Sequence, residues 1–226
     1  MENREIREKL DQAEKILVGL GGEWQMRPPA GSSLRQCRLS DPEQNQLKAA
    51  YESLARLLSG RDYYIAVTAV DGAVREAGFD ESRITAPCGN VHWRQCSKAC
   101  TKDIWEEGEV PEDICPHCGA PLTGNTIEAE NYIEEGYLPS WEAYKRWQAA
   151  ALNHRLLILE LGEGFDMPAV LRWPFEKNVY FNKKAFLCRV NERFYQIPKE
   201  IGDRGAGIAM DSREFVRELE AAGEQA

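Results

Sequence analysis

Two cysteine pairs constrain the fold of this chain more than any other feature. Cys96 and Cys100 have three residues between them, Cys115 and Cys118 have two, and fourteen residues separate the pairs. Four thiolates at such spacing can surround a tetrahedral zinc, each pair carried on a tight turn. Their neighbours are Ser97, Lys98, Lys102, Pro116 and His117, not the apolar side chains that core-filling cysteines would need. Gly119 follows the last cysteine directly, where such a turn often calls for positive φ and turns amides toward sulfur. All four thiols are needed to close the shell. The zinc is therefore expected to be structural, contributing on the order of 10 kcal/mol to a segment with almost no core of its own. His92 and His117 sit near the ligands, but four sulfurs suffice, so both read as surface or packing residues.

On either side of this segment the pattern is alternating. Ile6, Leu10 and Ala13 share one helical face, and the following Lys15-Ile-Leu-Val-Gly-Leu-Gly-Gly22 is a short apolar strand stopped by glycines. A helix is predicted over Asp41 to Leu58, with Pro42 in its first turn and Leu47, Ala50, Tyr51, Leu54 and Leu58 as its stripe. Tyr63 to Val70 reads as a central strand covered on both faces, Ala73 to Ala77 as a short helix, and Arg83 to Ala86 as another strand. A helix from Ser140 carries Trp141, Tyr144 and Trp147, and Arg155-Leu-Leu-Ile-Leu-Glu-Leu-Gly162 is again a strand ending in a glycine loop. Lys184 to Asn191 gives one more strand, and Asp211 to Ala222 a closing helix capped by Asp211 or Ser212.

This order predicts an α/β fold: a Rossmann-like, doubly wound, mostly parallel sheet with an inserted small zinc-ribbon domain. The expected divisions are 1–91 for the first part of the Rossmann-like domain, 92–127 for the four-cysteine module, and 128–226 for the remainder. The net charge of -9 argues against a nucleic-acid partner, which calls for clustered Lys and Arg. No apolar run approaches the roughly 20 residues needed to span a bilayer, and the opening Met-Glu-Asn-Arg-Glu-Ile-Arg-Glu-Lys has no apolar core of a leader. The expectation is a cytoplasmic protein with no membrane partner and reduced or metal-bound thiols.

The glycine turn Gly19-Leu-Gly-Gly22 lacks the third glycine of the dinucleotide pattern and is weak alone. Combined with the zinc module and the second loop, Gly162-Glu-Gly-Phe165, it says more. The blocks Val70-Asp71, Glu76-Ala-Gly-Phe79, Gln95-Cys-Ser-Lys-Ala-Cys100, Cys115-Pro-His-Cys-Gly119, Leu159-Glu-Leu-Gly-Glu-Gly-Phe165, Arg172-Trp-Pro-Phe-Glu176 and Arg189-Val-Asn191 resemble the sirtuins, NAD-dependent protein deacylases and ADP-ribosyltransferases. The likeness is strongest to the bacterial macrodomain-linked sirtuins and runs from about Ile16 to Leu219. It implies that Gly19, Gly21 and Gly22 face an NAD pyrophosphate, that Gly162 and Gly164 lie beside the adenosine ribose and phosphate, and that Asn191 reaches ribose hydroxyls. It implies a protein or peptide as substrate.

The departures from that pattern are specific. The family's Asn-Ile-Asp or Asn-Val-Asp element is here Ala69-Val70-Asp71, which keeps the acid and loses the amide. Glu23-Trp24 follows the first glycines, where a carboxylate would repel a pyrophosphate unless turned away. The Asp-Phe-Arg loop is absent, with Arg27 or Arg35 as replacement charges, and Cys88 before Gly89 stands where the family keeps its general-base histidine. Asp71 has two readings, a ribose ligand or the cap of the helix beginning at Gly72. Cys88 has two as well, a functional thiol or a small buried residue. Cys37, Cys188 and His154 are given no chemistry. The expectation is a sirtuin-like, zinc-containing protein that binds NAD or ADP-ribose and is weak or inactive as a lysine deacylase. An alternative is an active ADP-ribosyltransferase or deacylase using Cys88 and Asp71. A third is a non-enzymatic scaffold presenting Trp141, Tyr144 and Trp147.

Overall fold

The structure is a computed structural model that describes residues 3–223; Met1 and Glu2 of the charged opening lie outside it. The apolar segments form a six-stranded sheet, and the cysteine-bearing segment forms a second sheet of three strands. In the large sheet, β1 (Lys15–Leu20) lies between β2 (Tyr63–Val67) and β7 (Leu156–Leu161), with β3 (Ile84–Thr85) outside β2, and β8 (Phe186–Val190) and β9 (Gly205–Ile208) beyond β7. Every pairing is parallel. Counting only these strands, the order is 3-2-1-4-5-6, the doubly wound order whose direction reverses between β1 and β7 and whose ligands sit outside the strand ends at that reversal. The smaller sheet is antiparallel, β4 (Gly89–Cys96) flanked by β5 (Ile104–Glu106) and β6 (Leu122–Thr126).

Strands this apolar need cover on both faces, and the helices provide it. One face packs α1 (Asn3–Gln12), α2 (Asn45–Leu58) and α6 (Ser212–Ala221), with Ile6, Leu10, Tyr51, Leu54, Phe215 and Leu219 meeting the sheet. The other packs α4 (Leu138–Ala150) and α5 (Arg172–Phe181) through Tyr144, Trp147, Leu171, Phe175 and Val179. The short α3 (Ala73–Glu76) follows β2. Among the described residues no helix is long and apolar enough to cross a membrane.

The structure adjusts several expectations. β2 stops at Val67, because Thr68 makes the last step toward β1 and Val70 is then drawn away, its carbonyl accepting from Val91 at 2.8 Å. Helix α4 begins at Leu138, not Ser140: Pro139 supplies a preset first turn, and the Ser140 hydroxyl donates to the carbonyl of Tyr137 and is hydrogen-bonded to the Thr85 hydroxyl. Tyr144 and Trp147 are buried against β2, and Trp141 packs on the same cluster, so the three aromatics form the inner stripe of α4, not an open docking face. Helix α5 and strand β9 go beyond the elements read from sequence. β9 is Gly-Ala-Gly-Ile, a poor strand former by composition, and it is held by its ladder to β8.

Candidate functional site

Four strands of the large sheet end at one level. The amide of Gly21 donates to the carbonyl of Leu161, Gly162 to Val190, Thr68 to Leu20 and Asn191 to Ile208, each at 2.9 to 3.2 Å, and the chain then leaves the sheet. The loops after β1, β7 and β8 enclose a cavity of about 550 Å³, within the range of small-molecule sites. Gly22, Gly162, Gly164, Thr68, Glu163 and Asn191 are on its wall.

Of the glycines singled out in the sequence, three line this cavity and two do not. Gly22 is open to it. Gly162 has φ +67, which disfavours any side chain, and a Cβ there would also collide with Glu23 and with the Ser212 hydroxyl. Gly21 is pressed on the backbone of Glu163, which brings the first and second glycine loops into contact. Gly19 is inside β1 against the ring of Phe175, so it serves sheet-to-helix packing and is not on the cavity wall.

Glu23 and Trp24 are both turned from the position the sequence suggested. The Glu23 carboxylate accepts from the Ser212 amide at 2.9 Å and from its hydroxyl at 2.6 Å, at the first residue of α6. Trp24 is fully buried, its indole N–H donating to the same hydroxyl at 3.0 Å. Neither side chain blocks the cavity, although Glu23 forms part of its wall.

Asn191 is buried, and its side chain organises the loop that follows β8. Its Oδ1 accepts from the amides of Arg193 and Phe194, both at 2.9 Å, and its Nδ2 donates to the carbonyl of Glu163 at 3.3 Å. Asp71 is buried too. One oxygen accepts from the Ala73 amide at 2.9 Å, opening α3, and the other from the amide of Met26. Of its two readings, capping is the one these contacts fit; it also pins the 26 loop beside α3.

Cys88 is 1% exposed and lies outside the cavity wall. Burial, with a contribution from the Glu163 charge, pushes its thiol up to about 12. A thiol so raised is mostly protonated at neutral pH in the ligand-free protein. Each histidine has a carboxylate beside it, and the buried Nε2 of His92 has no hydrogen-bond partner among the described residues. His92 faces Glu107 at 2.7 Å, His117 faces Asp103 at 2.7 Å, and His154 lies 3.5 Å from Glu14.

A residue the sequence reading passed over stands out here. Glu163, between the two glycines, is 2% exposed yet borders the cavity. Burial raises its carboxyl to about 7, with Glu160 and Asp166 adding to the shift and the Thr68 hydroxyl and Arg172 opposing it. Thr68 donates to Oε2 at 2.9 Å. Behind it, Arg189 forks onto Glu160 at 2.6 and 2.9 Å and reaches Glu176 at 2.8 Å. Arg172 is 3.2 Å from Glu160 and donates to the carbonyls of Glu163 and Phe194. One buried guanidinium thus holds both the second glycine loop and the loop after β8.

The four cysteines meet as predicted. Cys96, Cys100, Cys115 and Cys118 have all their sulfurs within 4.8 Å of one another, with Cys96 to Cys118 at 3.5 Å and Cys100 to Cys115 at 3.6 Å. A tetrahedron with zinc–sulfur bonds of about 2.3 Å has edges of about 3.8 Å, so the shell is nearly the size zinc requires. Gly119 has φ +69, and its amide donates to the Cys115 carbonyl at 2.9 Å, which closes the second turn. The donor set and its spacing fit a structural zinc. The module is tied to the large domain by Arg35, which pairs with Glu107 and Asp113, the latter also held by Arg94 at 2.9 Å.

A parallel sheet in this order, a four-cysteine module inserted after its third strand, and a glycine-walled cavity at the reversal together define the sirtuin fold, as the sequence blocks implied. Solved structures agree over the whole chain. The protein is similar to Sir2 bound to an acetylated peptide, with a TM-score of 0.65 and 16% identity over 100% of both chains. It is similar to Sir2 with a p53 peptide and NAD+, with a TM-score of 0.64 and 16% identity over 100% of both. Among curated proteins it is 24% identical, over 72% of this chain and 57% of the relative, to a protein ADP-ribosyltransferase of Staphylococcus aureus (strain Mu50 / ATCC 700699). It is 25% identical, over 52% of this chain and 23% of the relative, to a probable bifunctional ADP-ribose hydrolase/ADP-ribosyltransferase of Fusarium oxysporum f. sp. cubense. The match therefore spans little more than half of the first relative and about a quarter of the second. No protein-family profile matches the chain.

Proposed function

We propose that this chain is a sirtuin-like protein that binds NAD or ADP-ribose in the cavity at the ends of β1, β7 and β8, and is weak or inactive as a lysine deacylase. The observation that carries the reading is the cavity itself: about 550 Å³, at the strand-order reversal, walled by Gly22, Gly162 and Gly164, with Glu23 drawn off to α6. Glycine walls let a ligand's phosphates approach the backbone closely. In this reading Gly22 and the 162–164 loop hold the phosphate-bearing part, and Arg193 on the wall is its positive charge. Bound NAD would supply an ADP-ribosyl group whose bond to nicotinamide is the reactive one. The weak-deacylase part is supported by Cys88, a buried thiol outside the wall, and by a wall whose lining residues include no histidine. Titration calorimetry with NAD and ADP-ribose is the direct test, with binding at micromolar to submillimolar ligand expected. Absence of heat at millimolar ligand refutes nucleotide binding. Incubation with NAD and an acetyl-lysine peptide is expected to yield little nicotinamide.

A second reading, an active ADP-ribosyltransferase, is favoured by the names of the two curated relatives. It predicts nicotinamide release in the presence of an acceptor protein. Loss of that release in Cys88→Ser, with Cys37→Ser unaffected, would assign the thiol a part in it.

A further inference from the structure

Glu163 is the buried acid of the cavity wall. Its Oε2 is taken by the Thr68 hydroxyl, and its Oε1 has no hydrogen bond among the described residues. The groups around it are mostly of its own sign. Glu160 approaches from β7 and Asp166 from the following loop, while the neutral Cys88 thiol faces it from the turn before β4. Glu23, Glu128 and Glu192 share the wall, with Arg193 the cation there. From α5, Arg172 is committed to Glu160 and to two backbone carbonyls. An ionised Glu163 would set a further negative charge, in a desolvated position, against any phosphate lodged between Gly22 and Gly164.

We propose that Glu163 meets the nucleotide as a neutral carboxylic acid, donating its O–H to a phosphate oxygen, so that it selects for its ligand in one protonation state and the cavity loses affinity as pH rises through neutrality. This rests on the reading of the cavity as a nucleotide site. It assigns the second glycine loop a donor that a Gly-x-Gly pattern would not supply by itself. The carboxyl sits close to the pH at which the choice is made, raised to about 7 by its burial. A phosphate beside it raises that further, so binding takes up a proton wherever the free protein has lost it.

The test is calorimetry with ADP-ribose between about pH 6 and about pH 8, in two buffers of different ionisation enthalpy. Expected for the wild type is a Kd that rises with a slope approaching tenfold per pH unit above about pH 7, and net proton uptake on binding. Expected for Glu163→Gln is a flat profile at the wild type's low-pH affinity, with no uptake; Gln keeps the Thr68 contact. Glu163→Ala should be flat as well. The same slope in Glu163→Gln, or an affinity that rises with pH as an ionised carboxylate accepting ribose hydroxyls would give, overturns the proposal while leaving nucleotide binding intact. No binding by wild type or variant at any pH overturns the nucleotide reading, and this inference with it.

Discussion

Replacing Glu163 by Gln should stabilise the protein free of ligand, and only on the alkaline side. The Glu163 carboxyl stands near 7 in the folded protein against an ordinary 4.5. Between those values the folded chain holds a proton that the unfolded chain has released. Stability therefore falls as pH rises through that window and is flat above it. At about 1.4 kcal/mol per tenfold, the full displacement is roughly 3 kcal/mol. Gln occupies the same volume, accepts the same hydrogen bond from Thr68 and carries no charge, so it escapes this cost. For a chain of this length about 3 kcal/mol corresponds to roughly 6 to 12 °C in Tm. The assay is thermal or urea unfolding of both proteins at about pH 4 and about pH 8. The expected outcome is near-equal stability at the lower pH and a gap of about 3 kcal/mol in favour of Glu163→Gln at the higher. A variant that is destabilised by the same amount at both pH values would show that the ionised carboxylate makes a favourable contact, and the burial argument would be wrong.

Other outcomes follow from the same structure. Chelation, or Cys115→Ser, should remove hydrogen-exchange protection across residues 96–122 while leaving β1, β7 and β8 protected: the apolar cluster of Ala120 and Leu122 contributes a few kcal/mol, against on the order of 10 for zinc. Protection unchanged in metal-free protein would refute a structural zinc. Cys88 should resist iodoacetamide at about pH 8 in the folded, zinc-loaded protein, since a thiol raised to about 12 is scarcely ionised there; peptide mapping that finds it alkylated within minutes would contradict its burial. Arg189→Met should cost about 3 kcal/mol in urea unfolding by removing the bidentate partner of Glu160, which is 0% exposed and keeps only Arg172 at 3.2 Å, and adding Glu160→Gln should recover part of that loss. Additive losses in the double variant would refute the pairing.

How far the sequence revealed this molecule depended on whether the signal was local. The zinc shell was legible because four cysteines at fixed spacing leave few alternatives once the neighbours are polar. The parallel sheet was legible because its inner strands are apolar on both faces and end in Gly or Asn. The short edge strand β9 was not, since Gly205 to Ile208 has no strand-forming composition and gets its conformation from β8. Of the glycines read from the sequence, Gly22, Gly162 and Gly164 line the cavity, while Gly19 and Gly21 serve packing. Glu163 was overlooked because nothing next to it in sequence buries it: its surroundings come from Thr68, Arg172 and Asn191, on three other segments. The turn of Glu23 was equally hidden, because its partner Ser212 lies 189 positions further along.

That contact between Glu23 and Ser212 has a consequence for how any anion is received. The leading end of α6 carries the partial positive charge of its free amides, and in many proteins such an end greets a phosphate. Here the chain has placed its own carboxylate on it, so the end is already quenched from within. The pocket is thus furnished with an internal counter-ion at a helix end that could have lent it attraction. What an arriving phosphate gains must come from bare peptide groups and a single rim guanidinium, a lean arrangement in which one proton more or less on the wall decides much of the balance.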